Sequence, residues 1–162
     1  MVKNDWENIA TTLSKTNSNP DEKAKLAIQI LLGDDWIKET VDYIIQLKPE
    51  WDLALKCLRI LESKKASDYA YQIFKSNKSI EYSRLAVFVI KDIAHPESLN
   101  WVEEFINNPN VAGFGLEILD QLLWLKKIKP SSQTENLLIL ASKKSELLKK
   151  VNFIKDYLKE IY

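Results

Sequence analysis

The side chains that most often carry chemistry are few in this chain. One histidine, His95, precedes Pro96, and one cysteine, Cys57, lies in the apolar run Leu53-Ala54-Leu55-Lys56-Cys57-Leu58. A zinc site needs several converging ligands, and a nucleophilic triad needs a base beside its nucleophile, so these two residues assemble neither. A lone cysteine makes no internal disulfide, and within an apolar run it reads as a small core residue. His95 reads as a junction residue near a helix C-terminus, where the helix dipole favours positive charge. Paired carboxylates occur at Asp34-Asp35, at Glu103-Glu104 and at Glu39 with Asp42. Such pairs can act as acid and base or hold a divalent cation. Neighbours on a helix diverge by about a hundred degrees, however, and read more simply as solvated faces. Asp34-Asp35 then caps a helix that begins at Trp36. Gly113-Phe114-Gly115 lacks the lysine and hydroxyl of a phosphate loop, and its glycines are expected to admit a close helix contact. The expectation is a non-enzyme with no metal and no cofactor.

Positioning these residues falls to helices. The 162 residues are 46% apolar and 10% aromatic, with only three glycines, a composition that argues against disorder and against a Gly-rich nucleotide fold. Apolar residues recur at helical spacing almost throughout, with no sustained strand alternation. Helices are predicted at about 5–15, 20–32, 35–47, 50–63, 67–76, 80–94, 97–107, 111–126, 133–142 and 145–162. Asn19 is read as an N-cap with Pro20 in the first turn, Gly33 as a stop, and Pro49, Asn77, Pro96, Pro109 and Pro130 as the later breaks. Connections this short predict antiparallel neighbours. The N-terminus shows no apolar signal region, and no apolar run reaches the roughly 18 residues of a membrane span, so a cytoplasmic protein that binds no membrane is expected.

Four of the predicted helices share a pattern of large apolar, small, apolar, any, apolar, apolar. They are Leu26-Ala27-Ile28-Gln29-Ile30-Leu31, Leu53-Ala54-Leu55-Lys56-Cys57-Leu58, Leu85-Ala86-Val87-Phe88-Val89-Ile90 and Phe114-Gly115-Leu116-Glu117-Ile118-Leu119. The small residues at 27, 54, 86 and 115 are spaced by 27, 32 and 29 residues. The alternate helices agree: Tyr69-Ala70-x-x-Ile73-Phe74 and Trp101-Val102-x-x-Phe105-Ile106 lie 32 residues apart, and Trp36-Ile37 opens the corresponding earlier helix. A two-helix unit of about 30 residues that cannot bury its apolar face alone is the mark of an α-solenoid. Over roughly residues 20–142 the chain resembles the HEAT and armadillo helical repeats, without the Pro kink or the Asp and Arg positions of well-kept HEAT units. The resemblance implies one all-α domain, 1–162, of about ten helices in antiparallel pairs. Helices 5–15 and 145–162 would cap it, the latter through a seam of Leu147, Val151, Ile154, Leu158 and Ile161.

The charge is balanced overall at 23 basic and 23 acidic side chains. Residues 1–123 carry 19 acidic and 14 basic, a balance of −5, and residues 124–162 carry 4 acidic and 9 basic, a balance of +5. In solenoids the second helix of each pair lines the concave binding face. Those helices place Ile37, Val41, Ile44, Ile45, Ala70, Ile73, Phe74, Val102, Phe105 and Ile106 in the core. Trp36, Tyr69 and Trp101 then form an aromatic stripe beside Glu39, Asp42, Tyr71, Gln72, Glu103, Glu104 and Asn107. Trp124, on the polar side of its helix, is either packed under the C-terminal helices or an exposed anchor. Rings beside carboxylates suit a basic protein partner. Small HEAT-like proteins of this composition look like the immunity proteins that accompany bacterial toxins, a resemblance that implies binding and neutralising a cognate toxin domain. A scaffold, adaptor or regulatory subunit is the alternative, with a HEAT-like lyase or DNA-repair repeat protein behind it. Nucleic acid is disfavoured, because helix 97–107 carries Glu97, Glu103 and Glu104 and no basic residue.

Overall fold

The computed structural model describes residues 5–15, 21–76 and 78–162, and among these every regular element is a helix. No described helix is long and apolar enough to cross a membrane. The chain divides into two compact units, Met1–His95 and Pro96–Tyr162.

The first unit holds α1 (Asp5–Lys15), α2 (Glu22–Leu32), α3 (Asp34–Ile45), α4 (Trp51–Ile60), α5 (Lys64–Ser76) and α6 (Ile80–Ile93). Alternate helices pack side by side, α3 on α5 and α4 on α6. Asp34 pairs with Lys65 near both helix starts, and Asp42 meets Tyr69 a turn or two further on, so α3 and α5 run in the same direction. Trp51 against Phe88 and Arg59 against Asp92 show the same for α4 and α6. The expected core is largely present: Ile37, Val41, Ile44, Ile45, Ala70 and Phe74 are buried, while Ile73 is half-buried. The small positions Ala54 and Ala86 are fully buried, as the shared pattern requires.

The first copy of that pattern behaves differently. It is α1, not α2, that packs on α4. Trp6, Ala10 and Leu13 are buried there; the Trp6 indole donates to Thr40 at 3.4 Å and lies 4.4 Å from the Tyr43 ring, and the Cys57 thiol donates to the Trp6 carbonyl at 3.1 Å. Trp6 offers far more apolar surface than any residue of α2, which is why α1 wins the place beside α4. Helix α2 packs on α3, with Ala24, Ile28 and Leu32 half-buried on its inner side. Lys25 is buried and pairs with Glu62 at 3.3 Å, and Gln29 donates to the Leu61 carbonyl at 3.1 Å. Leu26, Ala27, Ile30 and Leu31 consequently face outward. The expected cap of α2 also moves: Asp21 accepts from the Ala24 N–H at 2.8 Å, while Asn19 and Pro20 lie outside the described residues, as does Asn77. Gly33 ends α2 at φ 84°, a conformation that glycine adopts without strain, and it rather than Asp34-Asp35 precedes α3. The two aspartates sit in the first turn, where the helix dipole stabilises them.

The second unit begins with a 3-10 helix, Pro96–Trp101, that runs into α7 (Val102–Asn107), so the single helix expected over 97–107 is split. It continues with α8 (Ala112–Trp124), α9 (Ser132–Ser142), a 3-10 turn at Ser145–Leu147 and α10 (Leu148–Ile161). Helix α7 packs on α8 and α9, and α9 on α10. Val102, Phe105 and Ile106 are fully buried. A Cβ at Gly115 would lie 2.8 Å from Phe105 Cβ and 3.0 Å from the Ile106 nitrogen, whereas one at Gly113 would meet nothing within 4 Å. Only Gly115 therefore admits the close contact expected of both. The α10 seam holds at Leu147, Val151 and Ile154, then shifts to Tyr157, leaving Leu158 half-buried and Ile161 exposed.

Three helix ends share one turn without a glycine. After α3, α4 and α8 the chain passes through Leu47, Glu62 and Lys126 at φ 50°, 47° and 55°. In each, the next N–H reaches back five residues: Lys48 to the Tyr43 carbonyl, Ser63 to Leu58 and Lys127 to Leu122. This is the Schellman arrangement, in which glycine is usual.

Candidate functional site

In the first unit the predicted site residues separate by role. Asp42 on α3 accepts from the Tyr69 hydroxyl through both carboxylate oxygens at 3.1 Å. Burial, followed by the charge and hydrogen bond of Asp42, raises the Tyr69 phenol above its ordinary range. Lys38 lies 6.0 Å from the centre of the same ring. These contacts tie α3 to α5 and engage both carboxylate oxygens of Asp42. Trp36 is half-buried in the first turn of α3, with its indole nitrogen buried and unpaired among the described residues. Tyr71 stacks on Phe74 at 6.1 Å, with Lys75 over its ring at 5.9 Å. Two residues on from Tyr69, it lies about 200° round the helix, away from Asp42. Glu39 is exposed and makes no ion pair among the described residues.

In the second unit Trp101 is half-buried at the end of the 3-10 helix and Glu104 is half-buried on α7. Glu103 is exposed and lines a cleft of about 580 Å³ between α7 and α9, with Asn100 on its own side and Gln133, Asn136 and Lys143 opposite. Carboxylate, amide and ammonium groups around one cleft suit a polar, peptide-like surface.

Trp124 is not packed under the C-terminal helices but stands exposed beside α10. Its ring lies edge-on to Tyr157 of α10 at 5.3 Å, yet the residue stays 57% exposed. Phe153, one turn earlier on α10, also lies edge-on to Tyr157, at 5.6 Å, and is 61% exposed. Below the rings, the Tyr157 hydroxyl donates to Asp120 at 2.8 Å, and Lys150 pairs with the other Asp120 oxygen at 3.2 Å. Burial, then the Asp120 contact, keeps the Tyr157 phenol protonated far above its ordinary range. Phe153 and Tyr157 were not among the predicted site residues. The available signal was that Phe153 is a large aromatic standing off the apolar seam of its helix.

Cys57 is fully buried, and desolvation pushes its thiol up to about 11. No group of three or more His, Cys, Asp or Glu among the described residues is placed to hold a metal ion. Compared with known proteins, the chain matches no family model, no curated sequence and no solved structure.

Proposed function

We propose that this chain is a non-catalytic protein-binding module, a HEAT-like α-solenoid of antiparallel helix pairs, and most concretely an immunity protein that binds and neutralises a bacterial toxin domain in the cytoplasm. The parallel course of alternate helices within the first unit supports the repeat architecture. The observation that carries the binding reading is the cluster of Trp124, Tyr157 and Phe153. Two large rings stand more than half exposed, and both are braced by a third that is hydrogen-bonded from beneath. Exposed aromatics held rigidly lose little entropy on binding, which is the character of an interface hot spot. Of the predicted acidic residues, Glu39 and Glu103 are exposed and make no ion pair among the described residues, which suits them to steer a basic partner, whereas Asp42 is occupied by Tyr69.

The test is affinity capture from the source cell with the native chain and with Trp124→Ala, Phe153→Ala and Glu103→Lys. Each captured protein is then purified and titrated. A partner whose affinity falls about a hundredfold on losing Trp124 or Phe153 bears out the surface. A toxin domain whose activity the chain blocks bears out the specific reading. A partner indifferent to all three changes removes the surface, and a small-molecule turnover by the purified chain removes the module reading itself.

A further inference from the structure

We infer that the cleft between α7 and α9 receives an extended segment of a partner protein, about four or five residues long, that carries one basic and one acidic side chain. The inference rests on the reading of this chain as a protein-binding module and says what part of the partner it holds.

The cleft encloses about 580 Å³, within the range of sites that hold a ligand. Its α9 wall is a single stripe. Gln133, Asn136, Leu140 and Lys143 follow one another at helical steps and fall within about 80° of arc. From Gln133 to Lys143 the stripe rises about 15 Å, which is the length of four or five residues of extended chain at about 3.3 Å each. Asn100, from the 3-10 helix, and Glu103, from α7, line the facing wall.

The groups on these walls select the occupant. Asn100, Gln133 and Asn136 each offer N–H donors and a carbonyl acceptor, the same pair that a main-chain amide presents. An extended segment brings its own N–H and C=O groups unpaired, whereas a helical one has already joined them internally. All five polar side chains are exposed, and none makes a hydrogen bond or ion pair among the described residues. Leu99 and Leu140 are half-buried and Ile139 is 51% exposed, so apolar contact is available between the polar groups. One carboxylate, Glu103, and one ammonium, Lys143, line the cleft without pairing to each other. Their complement is a cation opposite Glu103 and an anion opposite Lys143. A nucleic-acid strand, with a negative charge at every step, would meet repulsion at Glu103.

The test is titration of the full isotope-labelled chain with acetylated, amidated pentapeptides, followed by backbone amide shifts. The probes are Lys-Leu-Ala-Leu-Glu, its reverse Glu-Leu-Ala-Leu-Lys, and the two versions with Lys or with Glu at both ends. One mixed-charge order is expected to move the amides of 99–103 and 132–143 and to bind about tenfold tighter than either like-charged peptide. Glu103→Lys turns the preference to the doubly acidic peptide and Lys143→Glu to the doubly basic one, each by about tenfold, and the double variant takes the opposite mixed order. Asn136→Ala weakens the mixed peptide about threefold to tenfold and leaves the charge preference intact. Circular dichroism and thermal midpoint stay those of the native chain, because every altered residue is exposed. Three results overturn the proposal: no shift at these residues up to about 5 mM peptide, like-charged peptides that bind as tightly as mixed ones, or a preference unmoved by both charge reversals. These titrations need no captured partner, so their failure while a partner is still held through Trp124 and Phe153 removes the cleft and leaves the module reading standing.

Discussion

Replacing Gly115 by alanine tests how closely α7 and α8 approach, and the adjacent Gly113 supplies its control. The added methyl at position 115 would sit 2.8 Å from Phe105 Cβ, 3.0 Å from the Ile106 nitrogen and 3.2 Å from the Phe105 carbonyl carbon. Two of those three atoms are backbone, so relief requires moving α7 as a body. Overpacking costs about 1–3 kcal/mol, and against backbone atoms the upper part of that range, about 2–3 kcal/mol, applies, against which alanine returns about 1 kcal/mol of helix propensity. The net expectation is a loss of about 1–2 kcal/mol, or about 2–8 °C in thermal midpoint for a chain of this size. At Gly113 the methyl meets nothing within 4 Å. Gly113→Ala should therefore gain up to about 1 kcal/mol and raise the midpoint by about 1–4 °C. The assay is thermal unfolding of both variants beside the native chain, followed by circular dichroism. Two shifts of the same sign, or a Gly115→Ala variant as stable as the native chain, would refute the close approach.

Trp6→Ala should cost about 3–5 kcal/mol in urea denaturation, because Trp6 is fully buried between Thr40, Tyr43 and Cys57; an exposed capping helix would lose less than about 1 kcal/mol. Lys126→Gly should stabilise the chain by up to about 1 kcal/mol, since glycine takes the positive φ after α8 without strain, and a lowered midpoint would contradict the Schellman turn. Alkaline pH should destabilise the fold. The Cys57 thiol ionises near 11 when folded and near 9.0 when unfolded, so its contribution is intact below about pH 9 and declines as pH rises through 11. That decline is about 2–3 kcal/mol in all, and Cys57→Ala should flatten the urea midpoint over this window; an equally steep profile in that variant would exclude the thiol as its source.

Periodicity made most helix positions legible, because burying an apolar face sets the same 3.6-residue rhythm that can be read along the chain. It could not choose between two apolar helices competing for one place. The motif at Leu26-Ala27 matches the buried ones at Ala54, Ala86 and Gly115, yet Trp6 and Ala10 of α1 take the position beside α4. The candidate site was legible in part, for a similar reason. Trp124 announced itself by standing among polar neighbours. The mutual engagement of Asp42 and Tyr69 depends on the register between α3 and α5, which neither helix specifies alone. Glu103→Lys is consequently a cleaner charge reversal than one that includes the half-buried Glu104.

The mounting of α2 also bears on how this protein fails. Leu26 to Leu32 is a run of seven residues without charge or proline, two of them isoleucine, the kind of segment that stacks into cross-β aggregates once freed from helical structure. What holds it helical is the half-burial of Ile28 and Leu32, the attachment of Lys25 to Glu62 and of Gln29 to the Leu61 carbonyl, and the Asp21 cap. Lys25 on one side and Asp34-Asp35 on the other flank the run as charged gatekeepers. Detachment of this one helix, with the core still folded, would be enough to free the run, so loss of the Lys25–Glu62 pair is expected to favour aggregation.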